Sequence, residues 1–190
     1  MSVGKRLIVG MSGASGAPLT IELLRRLREN PQIETHLIVT KGAVLTLEQE
    51  TAFSYEELTA LADVVYDNDS IGAAPASGSF RTIGMIVIPC SMKTVAGIAS
   101  GYSDNLLLRA ADVTLKERRR LVLAARETPL STLHLRNLYE VSRLGAVVMP
   151  PVPAFYRRPQ SVEDLVRDTV SRMLDQFDLN EEEPYEWMGM

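Results

Sequence analysis

The sequence contains little of what metal centres and disulfide frameworks require. Its 190 residues include one cysteine, Cys90, and two histidines, His36 and His134. A single cysteine excludes an internal disulfide, and so few histidines and cysteines exclude most metal sites built from these residues. We therefore expect no resident metal, and we expect a protein of a reducing, cytoplasmic compartment.

Long apolar runs and an excess of positive charge are also missing. No segment approaches the roughly 18 apolar residues that a membrane-spanning helix needs, and the first residues lack the features of a secretory signal. The net charge is −4, from 20 Lys and Arg against 24 Asp and Glu. Because non-specific nucleic-acid binding requires an overall basic field, we expect neither a nucleic acid nor a membrane as a partner.

The length and the composition, 46% hydrophobic and 23% charged, are those of an ordinary globular protein. A chain of this length is expected to form one domain with a real core. We predict that this single domain covers residues 1–179. Residues 180–190, which include Glu181, Glu182 and Glu183, are predicted to form an acidic C-terminal tail.

Apolar segments of strand length alternate with segments of helical periodicity. The predicted strands cover residues 6–11, 34–40, 85–89, 120–125 and 146–149. The predicted helices cover residues 18–29, 41–50, 54–62, 91–100, 104–118, 131–144 and 161–177. Strands that are apolar throughout and separated by helices indicate a parallel sheet covered on both faces. We therefore predict an α/β fold, a three-layer doubly wound parallel sheet of Rossmann or flavodoxin type, with its ligand beyond the carboxyl ends of the strands.

The first candidate site is the turn Gly10-Met11-Ser12-Gly13-Ala14-Ser15-Gly16-Ala17, between a predicted strand and a helix. Its glycines allow a tight turn, and the helix N-terminus is expected to offer free N–H groups to a phosphate. The spacing matches neither the dinucleotide pattern, nor a P-loop, nor a nucleophile elbow. A tight turn without a ligand is the alternative, but the hydroxyls of Ser12 and Ser15 favour a phosphorylated mononucleotide.

A second turn of this kind is Pro89-Cys90-Ser91-Met92-Lys93-Thr94. Ser91 is expected to cap the following helix, and with Lys93 and Thr94 it could bind a polar ligand. We interpret Cys90 as a small buried residue rather than as a nucleophile.

Two charged segments allow both a structural and a functional interpretation. Residues 116–120, Lys-Glu-Arg-Arg-Arg, are typical of a solvated helix end whose cations suit the helix dipole. Arg126 and Glu127 follow a predicted strand at the edge where ligands bind, so Glu127 is a candidate acid or base. A structural salt bridge explains this second pair equally well.

The proline-rich segment 150–159 forms the last candidate. Its prolines stiffen a loop in which Phe155 and Tyr156 could line an apolar pocket, with the phenol at its mouth. A rigid loop that packs its own aromatic rings is the alternative.

Taken together, these motifs resemble the flavin prenyltransferases of the UbiX/Pad1 type over residues 5–177. Seven segments in the same order make this resemblance specific. They are GMSGASGAP (10–18), QET (49–51), ASGSF (76–80), PCSMKT (89–94), RAADVTLKERR (109–119), RETPL (126–130) and PPVPAFYRRPQS (150–161).

The resemblance implies a flavin-binding domain that uses reduced FMN both as bound ligand and as acceptor. The donor is dimethylallyl phosphate, and new bonds at N5 and C6 of the flavin give prenylated FMN. The product passes to a UbiD-type decarboxylase. The resemblance further implies that no metal is needed, and that the chain forms a homododecamer whose sites are completed by neighbouring subunits.

The resemblance also implies roles for individual residues. Thr40 stands where the family commonly has serine. The implied catalytic residues are Ser15, Glu50, Lys116 and Glu127. The implied flavin-binding residues are Gly13, Ala14, Ser15, Thr40, Ser91, Met92, Lys93, Thr94 and Arg126. The implied residues for the prenyl phosphate are Arg109, Lys116, Tyr156 and Arg172.

Two other functions compete with prenyl transfer. Related flavoproteins of this fold decarboxylate cysteine-derived substrates with a catalytic histidine on an early helix, but the predicted helix 41–50 contains none and His36 lies on the preceding strand. The other alternative is a flavin carrier or a subunit of a decarboxylase for hydroxybenzoates or phenolic acids. The segments 89–94 and 128–135 resemble the phenolic-acid group more than the ubiquinone group. The pathway, the donor length and the choice between monophosphate and diphosphate stay open.

Overall fold

A computed structural model describes residues 5–180 of the chain. The predicted acidic tail therefore lies outside the described residues except for Asn180. The strands are β1 (Lys5–Met11), β2 (Ile33–Val39), β3 (Val64–Asp67), β4 (Gly84–Cys90), β5 (Arg120–Ala125) and β6 (Val147–Val148). The α-helices are α1 (Ala17–Glu29), α2 (Lys41–Glu50), α3 (Tyr55–Thr59), α4 (Met92–Ser100), α5 (Leu106–Lys116), α6 (Thr132–Arg143) and α7 (Val162–Leu174). None of these helices is long and apolar enough to cross a membrane.

The strands form one parallel sheet in the order β3-β2-β1-β4-β5-β6. This arrangement confirms the predicted doubly wound fold. The strand that the sequence pattern did not predict is β3, at the edge of the sheet. Its four residues alternate between half-buried and exposed, so it lacks the continuous apolar run that marks the central strands.

The core has two layers, one on each face of the sheet. Alternate residues of β1 serve the two layers, because Leu7, Val9 and Met11 pack on one side and Ile8 on the other. Buried residues of α1, α2, α3 and α7 cover the first side. Those of α4, α5 and α6 cover the second. The molecule therefore has three layers, as predicted.

The order of the strands reverses between β1 and β4, which is where doubly wound sheets bind their ligands. Ser12 joins the ends of these two strands. Its hydroxyl donates to the Pro89 carbonyl at 3.0 Å and accepts from the Ser91 amide at 2.8 Å. Because Ser12 is buried and both contacts are internal, it fixes the edge of the site and does not face a ligand as the sequence suggested.

Candidate active site

The turn after β1 lies directly against the first turn of α2. A Cβ atom at Gly13 would lie 2.9 Å from the carbonyl carbon of Gly42, so a side chain at Gly13 would force the two segments apart. Thr40 caps α2, because its hydroxyl accepts from the Ala43 amide at 3.2 Å. The predicted flavin-binding residues Gly13 and Thr40 therefore belong to one packed corner of the site.

The N-terminus of α1 is occupied by a carboxylate of the protein. One oxygen of Glu50, at the end of α2, accepts from the amides of Gly16 at 2.9 Å and Ala17 at 2.8 Å. Pro18, which follows, has no N–H to offer. The expectation that this helix offers free N–H groups to a phosphate is therefore wrong for Gly16 and Ala17.

Glu50 is held in its ionised form by these contacts. Partial burial favours the neutral acid, but hydrogen bonds from the Ser15 hydroxyl and from the Gly16 and Ala17 amides outweigh it, with help from the positive charge of Arg126. The net effect lowers the pKa of Glu50 below its ordinary value. Ser15, Glu50 and Arg126 therefore interact with one another and form one electrostatic group at the carboxyl edge of the sheet.

The second turn supplies the other wall of this corner. Ser91 caps α4 as predicted, with its hydroxyl 3.3 Å from the Thr94 amide and 3.1 Å from the Thr94 hydroxyl. Met92 is buried in the core, so it can meet a ligand only through its backbone, whereas Lys93 is exposed. Cys90 is fully buried, and burial raises the pKa of its thiol. The predicted burial of Cys90 is confirmed, and a buried thiol with a raised pKa is a poor nucleophile.

A cleft of about 480 Å³ opens beside this group. Ser15, Glu50 and Arg126 form its polar end. The rest of its wall is largely apolar, and the residues that form it are Gly16, Pro18, Leu19, Pro151, Pro153, Val162, Leu165, Val166 and Thr169. The cleft thus places a carboxylate and a guanidinium at one end of an apolar groove.

A second cleft, of about 400 Å³, adjoins the first. Leu165 and Thr169 of α7 line both clefts. The second cleft contains Tyr156, whose side chain is well exposed, and Arg172, whose guanidinium lies 2.9 Å from Asp175. Two of the predicted phosphate-binding residues, Tyr156 and Arg172, therefore lie in the same cleft. Helix α7 lies between this cleft and the one that contains Ser15 and Glu50.

The other two predicted phosphate-binding residues lie elsewhere in the chain. Arg109 pairs with Asp112 at 2.6 Å on α5, and Lys116 ends the same helix. Lys116 and Asp112 line a third cleft, together with the last turn of α4, the turn that follows it up to Ser103, and Leu144. Within the described chain, the structure does not bring Arg109 and Lys116 to the cleft of Tyr156 and Arg172.

Glu127 is exposed next to Arg126, and one of its carboxylate oxygens accepts from the Thr128 amide at 3.0 Å. It is not among the described residues that line the first cleft. Its predicted catalytic role stays a prediction.

Sequence reasoning missed the wall formed by Leu165 and Thr169. The helical periodicity of 161–177 marked these residues only as part of a closing helix. No pattern in the sequence shows which face of that helix borders a cleft. The 150–159 loop was singled out, and its prolines Pro151 and Pro153 do line the first cleft.

The histidine required by the decarboxylase alternative is absent from the described site. His36 is buried in β2, where its Nδ1 lies 2.9 Å from the Tyr66 hydroxyl and its ring stacks on that of Tyr66. His134 is the N3 residue of a capping box at the start of α6. In residues 5–180 we find no group of three or more His, Cys, Asp or Glu that could hold a metal ion.

Similarity to known proteins defines the class to which this chain belongs. The profile of the family described as Flavoprotein matches residues 1–174. Flavin prenyltransferase UbiX of Escherichia coli (strain K12) is 57% identical over 173 residues, which are 91% of this chain and 92% of that protein. The chain therefore belongs to the UbiX-type flavin prenyltransferases, as the resemblance implied.

Two solved structures agree with this assignment. A dodecameric FMN-dependent UbiX-like decarboxylase from Escherichia coli O157:H7 has a TM-score of 0.94 and 54% identity, over 97% of this chain and 100% of that chain. AnUbiX (PadA1), solved with FMN and dimethylallyl pyrophosphate, has a TM-score of 0.95 and 53% identity, over 98% of this chain and 99% of that chain.

Proposed function

We propose that this chain transfers a dimethylallyl group from its phosphate ester to reduced FMN, and so makes prenylated FMN. The observation that carries the proposal is the pair of adjoining clefts. One has a carboxylate and a hydroxyl at its polar end, the other has a phenol and a guanidinium, and an apolar wall of α7 joins them. A ligand with a short apolar chain and a phosphate at one end matches an apolar wall that is flanked by these polar groups.

The residues at the carboxyl edge fit a flavin mononucleotide. The Thr40 and Ser91 hydroxyls and the bare backbone at Gly13 form the packed corner, and Lys93 and Arg126 add positive charge beside it. We propose that these residues, with Ala14, Ser15 and the backbone of Met92 and Thr94, hold the flavin. When bound, reduced FMN supplies the two nucleophilic positions, N5 and C6.

Tyr156 and Arg172 bind the donor phosphate in this proposal. When the bond between the allylic carbon and the phosphate oxygen breaks, the electron pair leaves with the phosphate. Positive and hydrogen-bonding groups that surround this phosphate stabilise the charge that develops on it. Arg172 already lies against Asp175, so its guanidinium is oriented before the donor arrives.

Glu50 acts as a fixed negative charge near the reacting carbon. Three donors hold its carboxylate and its pKa is lowered, so it is poorly suited to carry a proton. A fixed carboxylate does favour positive charge on an allylic carbon.

Glu127 is exposed, and in the described chain no comparable set of donors surrounds its carboxylate. We propose that it moves the proton released from the flavin and the proton taken up by the phosphate, with Ser15 as the relay.

Arg109 and Lys116 require a neighbouring copy of the chain to reach the donor phosphate. We propose that the chain assembles as a homo-oligomer of the size of the dodecameric relative, with the α5 end of one subunit at the Tyr156 cleft of another. The product then passes to a UbiD-type decarboxylase of the cytoplasm. A decarboxylase activity of the chain itself has less support, because His36 is buried away from the clefts.

The test is an anaerobic reaction of the purified protein with reduced FMN and dimethylallyl phosphate or diphosphate, followed by mass spectrometry of the flavin. We expect a flavin heavier by one C5H8 unit. Arg172→Ala should lower kcat/KM for the donor about 100-fold, as expected for loss of a charged phosphate contact. Arg167→Ala is the matched control, because Arg167 forms the same kind of pair, with Asp164, one turn earlier on α7. Bound flavin without added mass would instead support a carrier.

A further inference from the structure

The ammonium group of Lys116 is held by a neighbouring carboxylate at the end of α5. Lys116 Nζ donates to Glu117 Oε1 at 2.5 Å. The pair is partly exposed, with 45% of the Lys116 side chain and 35% of the Glu117 side chain accessible. An exposed ion pair contributes little to folding stability, so stability alone gives little reason for this arrangement.

The loop 76–80 packs against the Lys116–Glu117 pair and is itself held in place by hydrogen bonds and ring contacts. Arg119 donates to the carbonyls of Gly78 and Phe80, both at 2.7 Å. The ring of Phe80 lies under the Arg6 guanidinium, 4.8 Å from it, and meets the edge of the His36 ring. The loop is therefore fixed both to the residues that follow α5 and to the sheet.

Gly78 brings the backbone of this loop against the ion pair. A Cβ atom at Gly78 would lie 2.2 Å from Glu117 Oε1 and 2.8 Å from Lys116 Nζ. Any side chain at this position must displace one member of the pair. The absence of a side chain at Gly78 is thus needed for the observed position of the Lys116 ammonium.

This arrangement leaves the ammonium oriented but available. An ammonium has three N–H donors, and Glu117 uses one of them. The hydrogen bond and the charge of Lys116 lower the pKa of Glu117, so the carboxylate stays ionised. Because a lysine side chain loses much rotational freedom when it is fixed, ordering it before the ligand arrives reduces the cost of binding.

We propose that Glu117 and Gly78 are positioning residues that hold the Lys116 ammonium for the phosphate of the prenyl donor. This inference rests on the proposed function, since it assumes that Lys116 binds that phosphate. Glu117 does not touch the donor. It acts through Lys116, and so its effect should fall on donor affinity and should depend on Lys116.

The test uses the full chain in its native assembly, with prenylated FMN measured against the concentration of dimethylallyl phosphate. We expect Glu117→Ala to raise KM for the donor about tenfold, with kcat changed less than about twofold and flavin affinity unchanged. Glu117→Gln keeps an acceptor and should recover about half of this loss on a logarithmic scale. Gly78→Ala should raise KM in the same direction. Glu29→Ala, an exposed glutamate at the far end of α1, is the control and should match the wild type.

The double variant Lys116→Ala with Glu117→Ala separates positioning from a general structural effect. If Glu117 acts through Lys116, the double variant should have the same KM as Lys116→Ala alone, whereas independent effects would multiply. A donor KM unchanged in Glu117→Ala, or multiplied effects in the double variant, would overturn the inference. A wild-type protein that makes no prenylated flavin would instead overturn the proposed function, and Lys116→Ala with wild-type kinetics would overturn the assumption about Lys116.

Discussion

Glu50 shows how one side chain can change what a whole motif does. A glycine-rich turn before a helix usually offers its amides to a phosphate. Here a carboxylate from the end of α2 takes the Gly16 and Ala17 amides, so these two donors stabilise a protein charge. A phosphate must then be held by other groups, such as the hydroxyls and cations around it. At the scale of a residue, the site is thus built to fix a negative charge beside the apolar cleft.

The charge of Glu50 should make stability depend on pH. Its pKa in the folded protein lies below the ordinary value of 4.5. The stabilisation is therefore fully present above that value and is lost as the pH falls through the lower, folded-state pKa. We expect Glu50→Gln to be less stable than the wild type by about 0.5–1 kcal/mol at pH 7, the usual effect of a charge at a helix N-terminus.

The measurement is urea unfolding of both proteins over a series of pH values from 7 down through the folded-state pKa of Glu50, where the carboxylate takes up its proton. The difference between the two should shrink to zero over this range. Glu48→Gln, an exposed neighbour on α2, is the control and should show no such trend. If the difference in the free energy of unfolding persisted at acid pH, Glu50 would stabilise the fold through its packing and hydrogen bonds and not through its charge.

Single residues were the hardest feature to predict from the sequence. The turn at 10–17 was correctly placed at the carboxyl edge of the sheet, but the prediction that the Ser12 hydroxyl faces a ligand was wrong. Ser12 is an internal link between β1 and β4, whereas Ser15 borders the cleft. The two hydroxyls look alike in sequence, because what separates them is the approach of Pro89 and Ser91 from a strand 77 residues further on.

At the scale of elements, the turn after β1 and the start of α2 form one packed unit. The Cβ atom of an alanine at Gly13 would lie 2.9 Å from the backbone of Gly42, and neither segment has a flexible side chain that could yield. We expect Gly13→Ala to weaken FMN binding at least about tenfold and to lower the unfolding temperature by a few degrees. Fluorescence titration with FMN measures the first effect. Gly72→Ala, where an added Cβ meets nothing within 4 Å, should leave both properties unchanged.

Helix α7 lies between the two clefts, and its residues Leu165 and Thr169 line both of them. The Thr169 hydroxyl donates to the Leu165 carbonyl at 2.8 Å, so its polar atom is satisfied within the helix. Leu165 is the largest apolar side chain shared by the two clefts, and we infer that it limits the length of the prenyl chain.

Shortening Leu165 should therefore relax donor selection. We expect Leu165→Ala to raise the ratio of kcat/KM for geranyl phosphate over dimethylallyl phosphate about tenfold, since a few methylene groups in an apolar pocket are worth this much. Competition of the two donors, with the flavin products weighed by mass spectrometry, measures the ratio directly. Arg167→Ala on the same helix is the control. An unchanged ratio would show that another surface sets the donor length.

Most elements could be predicted because their signals are local. Continuous apolar runs marked the central strands, and a serine followed three residues later by a glutamate marked the start of α3, where the capping box is present. The edge strand β3 has neither signal, since two of its four residues are exposed and the other two are only half-buried. The wall of α7 was missed for a related reason: a half-buried helix face has the same periodicity whether it packs on a core or borders a cleft.

At the scale of the whole molecule, the predicted phosphate site is divided between two parts of the chain. Tyr156 and Arg172 lie at one cleft. Arg109 and Lys116 lie on α5, where Lys116 lines another cleft. The family resemblance implied all four residues, although Arg172 lies outside the quoted motifs, and a sequence cannot state which copy of a chain supplies each one. The division is what an assembly with sites between subunits requires.

This arrangement predicts complementation between two inactive variants. Lys116→Ala and Arg172→Ala should each lower prenyl transfer strongly when made alone. In mixed assemblies, some sites receive Lys116 from an Arg172→Ala subunit and Arg172 from a Lys116→Ala subunit, so they are intact. Random mixing of equal amounts should restore about a quarter of the wild-type activity, because two independent choices between two kinds of subunit must both be favourable.

The mixed assemblies are best made by co-expression with two different affinity tags and purification through both. Activity is then measured as prenylated FMN formed per subunit. The double variant Lys116→Ala with Arg172→Ala, mixed with the wild type, gives the reference for subunits that merely dilute one another. If both residues served the same chain's site, no mixture of the two single variants could contain an intact site, and activity would stay at the level of the variants alone. Recovery above that level would therefore locate the donor phosphate between subunits.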